Sequence, residues 1–161
     1  MMTYPAARDV TARLLAAGEL DPAPTGRQMA DGLIRVARER LAKLPEYRTL
    51  NAWLACETLY LAVTNAMSAT IEVQGLRPGT FGGDRGSAEV AAAQAMYEVV
   101  SAQLGGQHGP EVETLGRLIR QQEAVEYQAA PVPEVTDQDI RDATAVVDLA
   151  ERIVNETEAG Q

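Results

Sequence analysis

Proline and glycine divide this chain into six segments, each long enough to form a helix. The breaks fall at Gly18, 21–24, Pro45, 75–86, 105–106 and 131–133. Between the breaks, apolar residues recur every three or four positions, which is the period of an α-helix. No segment shows sustained apolar–polar alternation with β-branched enrichment, so we expect no sheet. The pattern predicts an all-α bundle of five main helices plus a short N-terminal helix.

The proline and glycine residues also set the expected boundaries of the helices. Residues 1–24 are predicted to hold the short helix, which stops at Gly18, and a stiff proline-rich linker, with the bundle at 25–161. Thr25 and Gln28 have the spacing of a capping box that starts the second helix. Pro45 is expected to separate that helix from the third. The later helices are predicted at 48–74, 84–104 and 110–127 and from 136 onwards.

The third predicted helix is the most apolar, and its wide apolar face is typical of a helix with neighbours on several sides. Its stripe consists of Trp53, Cys56, Tyr60, Val63, Met67 and Ile71. On this pattern Cys56 is a buried, unreactive thiol. Met29, Met67 and Met96 are expected to fill the core.

Composition excludes several classes of protein. One cysteine and one histidine, His108, argue against a disulfide framework within the chain and against a zinc site, so we expect no metal and no cofactor. No apolar run approaches the roughly 20 residues that span a bilayer, so no membrane association is expected. The first ten residues lack the pattern of a signal peptide, which favours a cytoplasmic location. A net charge of −9 disfavours RNA as a partner.

Charge is distributed unevenly along the chain. Residues 25–48 carry six basic residues against three acids, whereas 134–161 carry eight acids against two basic residues. We therefore expect the second and last helices to attract each other. A track for RNA along the basic helix is the alternative. The glycine-rich stretch 79–86 lacks the Gly-Lys-Ser/Thr end of a phosphate-binding loop, so we interpret it as a connection with Asp84 as the next N-cap.

The fifth helix carries the candidate functional residues. Arg117, Arg120, Ala124 and Tyr127 fall at i, i+3, i+7 and i+10, so one face would present two guanidinium groups and a phenol. Such a face could hold a phosphate or a partner carboxylate. The alternative is a solvated or interface stripe with Arg–Glu pairs.

In the order of its pieces the chain resembles the HEPN superfamily, specifically the compact single-domain type common in actinobacteria. The pieces are Leu14–Leu20 before a proline-containing linker, the Arg-rich helix from Thr25, the long central helix, Gly75–Pro78 followed by Gly82-Gly83, Arg117-Leu118 with Glu126-Tyr127, and Thr136–Ile153. The resemblance implies a helical domain that forms a homodimer. Active members are metal-independent ribonucleases in which an Arg, often followed by Asn, precedes a His by four to six residues.

This sequence departs from that motif. Aligned on Glu126-Tyr127, it has Gln122 in place of the Arg, Glu123 in place of the Asn and Tyr127 in place of the His. A tyrosine, with a pKa near about 10, is a poor base at neutral pH, and a glutamine carries no positive charge. The candidate catalytic residues are therefore only Arg117, Arg120 and Tyr127. His108 could reach the cleft only across a dimer interface.

The resulting hypothesis is a non-catalytic HEPN-like module that dimerises and binds a protein or nucleotide-type partner, such as a protein encoded nearby. The expected binding or interface residues are Arg117, Arg120, Gln122, Glu123, Glu126 and Tyr127. Two alternatives stay open: a toxin-like, metal-independent endoribonuclease, and a helical substrate-binding partner of a nucleotidyltransferase.

Overall fold

The computed structural model describes residues 5–22, 26–78 and 85–159. Within these ranges the chain is mostly helical, which confirms the all-α prediction at that level. In chain order the elements are α1 (Pro5–Ala16), β1 (Leu20–Pro22), α2 (Gly26–Leu50), α3 (Ala52–Glu72), β2 (Leu76–Pro78), α4 (Arg85–Leu104), α5 (Gly109–Tyr127) and α6 (Asp137–Ala159). Thr25 and residues 79–84, including the expected N-cap Asp84, lie outside the described residues.

α3 is the central helix, as its wide apolar face predicts. It contacts α2, α4, α5 and α6, and Leu59, Val63 and Met67 along it are fully buried. α1 packs against α4, where Leu14 is fully buried and Arg13 pairs with Glu98. Among the described residues, no helix is both long and apolar enough to cross a membrane.

Pro45 does not separate two helices, contrary to the prediction. It lies inside α2, which continues to Leu50. Proline removes one backbone hydrogen bond, but Leu44 is fully buried beside it and Tyr47 packs against the core, so the turns on both sides stay attached. α2 and α3 are instead separated at Asn51, where the extended backbone (φ −161°, ψ 121°) ends α2. The side chain of Asn51 accepts a hydrogen bond from the Leu54 N–H at 3.0 Å. Asparagine is a favourable N-cap for this reason.

A two-stranded antiparallel sheet is present, although no sheet was expected. β1 and β2 pair in the register Leu20 with Pro78, Asp21 with Arg77 and Pro22 with Leu76. Asp21 and Pro22 of the expected linker are thus extended but also paired. Pro22 and Pro78 sit at the ends of very short strands, where the missing N–H costs little. A salt bridge from exposed Arg77 to buried Glu72 ties β2 to the end of α3.

Two large apolar side chains that the stripes assign to the core lie near the surface. Met29 is 45% exposed and Trp53 is 39% exposed. α2 instead buries Ala30, Ile34, Ala37 and Leu44, and Leu33 and Leu41 pack against the core. Trp53 stands in the first turn of α3, beside the exposed end of α2.

α6 is held by two arginines of α2, which confirms the expected internal pairing of charge. Arg38 on α2 reaches Asp148 at 2.7 Å and Glu151 at 2.6 Å. Arg48 reaches Asp137 at 2.6 Å. Because these pairs are partly solvated, each contributes at most about 1 kcal/mol. The attachment of α6 therefore rests mainly on its buried apolar stripe: Ala143, Val146, Val147, Leu149, Ala150 and Val154.

Candidate functional site

A cavity of about 390 Å³ lies between α3, α4 and α5. Its walls are mainly apolar, and two tyrosines, Tyr60 and Tyr127, complete them. The apolar lining residues are Leu61, Pro78, Val90, Ala92, Ala93, Met96 and Ile119. A concave, largely apolar space with a few polar groups is the usual form of a small-molecule site. We call this space the α3–α5 pocket.

Gln122 is the most deeply buried polar residue in the described lining of the pocket, with only 4% of its surface exposed. Its amide donates to Glu126 Oε1 at 2.6 Å, one helical turn further along α5. Its carbonyl oxygen lies 3.9 Å from the Cys56 sulfur, which also accepts a hydrogen bond from Gln121 Nε2 at 3.3 Å. Burial raises the pKa of the Cys56 thiol, and the nearby carboxylates of Asp139 and Glu57 add to this rise.

Three carboxylates line the pocket. Glu57 comes from α3, and Glu123 and Glu126 come from α5. No Lys, Arg or His is found among the described residues of the lining. Low-dielectric walls concentrate a field of one sign, so the pocket has a negative potential.

Two hydroxyl donors of the wall, those of Thr64 and Ser68, are engaged within the protein. Thr64 Oγ1 donates to the backbone carbonyl of Tyr60 at 2.9 Å. Ser68 Oγ donates to the sulfur of Met96 at 3.2 Å, which joins α3 to α4. Neither hydroxyl proton is therefore directed at a ligand in the pocket.

The expected binding or interface residues of α5 are divided between two surroundings. Gln122, Glu123, Glu126 and Tyr127 line the pocket. Arg117 instead points to α6, where its Nη2 lies 3.1 Å from Asp139 Oδ1 and 3.7 Å from Asp142 Oδ2. It borders a separate cleft of about 270 Å³.

Helical geometry explains this division. At 3.6 residues per turn, the side chains of residues 117 and 127 are separated by about 80° around the helix axis. This angle is large enough for the two side chains to contact different neighbours. Arg120 is exposed and does not line the pocket. The structure therefore does not bring the two arginines and the phenol into one site.

His108 lies far from this site. It is the N-cap residue of α5, whereas Tyr127 ends the same helix. Nineteen residues at 1.5 Å each separate the two by about 28 Å. Because His108 is the only histidine of the chain, no imidazole from the same subunit reaches the pocket end of α5.

Sequence reasoning missed the α3 side of the pocket. Glu57, Tyr60, Thr64 and Ser68 follow one another at steps of three or four residues, and all line the pocket. A polar stripe of this kind on an otherwise apolar central helix was the available signal. For Tyr60 and Met96 the sequence pattern predicts a place in the core only.

In the part of the chain that the structure describes, no three His, Cys, Asp or Glu side chains are grouped so that they could hold a metal ion.

In comparisons with protein-family models, curated proteins and solved structures, nothing matches this chain. Function is therefore inferred from the chemistry of the pocket itself.

Proposed function

We propose that this chain is a non-catalytic, HEPN-like helical binding module whose ligand occupies the α3–α5 pocket. The observation that carries the proposal is the pocket's construction: four polar residues from the end of α5, Gln122, Glu123, Glu126 and Tyr127, surround an apolar cavity of about 390 Å³. This volume falls within the range of about 300–1,000 Å³ that is typical of small-molecule sites.

The surroundings of the candidate catalytic and binding residues argue against the ribonuclease alternative. Cleavage through a ribose 2′-OH needs a cation at the phosphoryl group and a base that titrates near neutral pH. Arg117 is engaged by Asp139 and Asp142, and Gln122 is buried against Glu126. A phosphate in the pocket would meet the carboxylates of Glu57, Glu123 and Glu126.

Those carboxylates also disfavour a nucleotide-type partner, the second kind of partner that the sequence suggested. A nucleotide would bring its phosphates close to three like charges, and like-charge juxtaposition lowers affinity. The proposed module therefore recognises an uncharged or positively charged group, which is either a free small molecule or part of a protein partner.

A fragment screen followed by two-dimensional NMR tests this function. We expect fragments to shift the signals of Tyr60, Met96 and Gln122 in the native protein. The variant Ala93→Phe places a ring in the pocket, so the same fragments should leave its signals unchanged. Ala42→Phe, at an exposed position of α2, is the matched control and should behave as the native chain does. A screen in which no fragment perturbs the pocket at millimolar concentration would overturn the proposal.

A second arm of the experiment measures RNA cleavage without added metal at neutral pH. We expect none above background. Metal-independent cleavage that is lost in both Arg120→Ala and Tyr127→Phe would instead establish the ribonuclease.

A further inference from the structure

We infer that the ligand of the α3–α5 pocket is a small organic cation with an apolar body, such as an alkyl- or arylammonium group. This inference rests on the proposed binding function and names the class of ligand. Three features of the pocket support it: the sign of its charge, the engagement of its hydrogen-bond donors, and the nature of its walls.

The charge of the pocket comes from two helices. Glu123 and Glu126 stand three residues apart on α5, so they share a face, and Glu57 approaches from α3. The described lining offers no basic side chain to neutralise them. A bound ammonium would supply the missing counter-charge. It would form its strongest hydrogen bond with a carboxylate that is already held in position.

Glu126 is such a carboxylate. The amide of Gln122, buried beside it, donates to Oε1 at 2.6 Å. This bond fixes the orientation of the carboxylate and uses one of its oxygens, and the N–H of a ligand can be accepted by the other. Gln122 is thus a positioning residue for the cation.

Three side chains of the pocket wall that could donate to an anion donate elsewhere instead. The hydroxyl of Thr64 bonds to backbone, that of Ser68 bonds to Met96, and the amide of Gln122 bonds to Glu126. These three bonds therefore give an anionic ligand nothing in exchange for the hydration that it loses on entering the pocket, and that loss is costly. An ammonium needs acceptors, and the pocket supplies these.

The walls suit the remainder of the ligand. Leu61, Val90, Met96 and Ile119 provide apolar surface for an alkyl or aryl body. Tyr60 and Tyr127 also line the pocket, and aromatic faces attract cations. A cavity of about 390 Å³ lies towards the small end of ligand sites, so it suits one ring or a short chain.

Three probes with one carbon skeleton separate charge from shape. 4-Phenylbutylamine, 4-phenylbutan-1-ol and 4-phenylbutyrate carry charges of +1, 0 and −1 at neutral pH. Isothermal titration calorimetry should show the amine binding about tenfold or more tightly than the alcohol, since hydrogen bonds to charged groups are the stronger kind. The carboxylate should bind least.

Matched variants locate the effect. Glu126→Gln and Glu123→Gln keep the shape of the side chain and remove one charge, so each should weaken the amine several-fold and leave the alcohol unchanged. Glu156→Gln, at an exposed position of α6, is the control and should change neither. Circular dichroism confirms that each variant is folded.

The possible failures are distinguishable. If the alcohol or the carboxylate binds as tightly as the amine, the cation inference is wrong while the pocket remains a binding site. If none of the three binds, the cation inference is also wrong, and the fragment screen on native protein and Ala93→Phe decides separately whether the pocket binds anything.

Discussion

The side-chain amides of Gln74 and Gln103 form a reciprocal pair between the end of α3 and α4. Gln74 Nε2 donates to Gln103 Oε1 at 2.9 Å, and Gln103 Nε2 donates to Gln74 Oε1 at 2.7 Å. Gln74 also donates to the carbonyl of Thr70 at 2.7 Å, and Gln103 is buried. The pair fixes α4 against α3, and these two helices form two walls of the pocket.

Breaking this pair from one side should destabilise the fold. In Gln74→Ala the amide of Gln103 remains buried without its partner, which costs about 1–3 kcal/mol. Urea unfolding measures the loss. The double variant Gln74→Leu/Gln103→Leu removes both polar groups and should cost less than the sum of Gln74→Leu and Gln103→Leu measured singly. A strictly additive result would show that the two amides are not coupled.

Two glycines of α2 should respond oppositely to alanine. A Cβ at Gly26 would lie 2.6 Å from the backbone oxygen of Glu72, which cannot move away freely, so Gly26→Ala should destabilise by about 1–3 kcal/mol. A Cβ at Gly32 would meet nothing within 4 Å. Because alanine is the better helix former, Gly32→Ala should stabilise by about 0.5–1 kcal/mol. Equal effects in thermal or urea unfolding would contradict the close approach of α2 to the end of α3.

The Arg48–Asp137 pair should make stability depend on pH. The hydrogen bond from Arg48, followed by its charge, lowers the pKa of Asp137 below its usual value. A carboxyl whose pKa is lower in the folded than in the unfolded state stabilises the fold above the unfolded pKa and loses that contribution as pH falls through the folded pKa.

Asp137→Asn should therefore lower the melting temperature slightly at pH 7, and the difference from the native protein should vanish once the pH is below the folded pKa of Asp137. High salt at pH 7 should also shrink the difference, since Asp137 is largely exposed. A difference that persists unchanged in acid would assign the effect to something other than charge.

Cys56 should react slowly in the folded protein. Its thiol is buried, and burial raises its pKa, so the reactive thiolate is scarce at neutral pH. A thiol-disulfide exchange reagent at pH 7.5 should label the chain far more slowly in buffer than in 8 M urea. Equal rates in the two solutions would show that the thiol is accessible in the folded state.

A two-fold homodimer remains a prediction of the family resemblance, since such dimers are the commonest homo-oligomers. Sedimentation equilibrium at micromolar concentration should give twice the 17.3 kDa mass of the chain. A single species at the monomer mass would contradict it.

The helices themselves were predictable because their signals are local. Apolar period and backbone-breaking residues act within a few positions. Gly18 and Gly75 adopt positive φ values (73° and 81°), as glycines just after a helix commonly do. The attraction between α2 and α6 could also be inferred, because the net charge of each segment can be counted from its sequence and charges act over long distances. Pro45 shows the limit of local signals: tertiary burial of Leu44 beside it outweighs one lost hydrogen bond.

Tertiary structure alone decided which surfaces meet. The pairing of β1 with β2 joins residues more than fifty positions apart, and no local pattern encodes such a contact. On α5 the sequence indicated the important segment. The packing of α6 places Arg117 against Asp139 and Asp142, whereas Gln122 and Tyr127 line the pocket that α5 shares with α3 and α4. A helix presents its residues around a full circle, so its sequence states which side chains are available, whereas the positions of its neighbours determine which of them share a site.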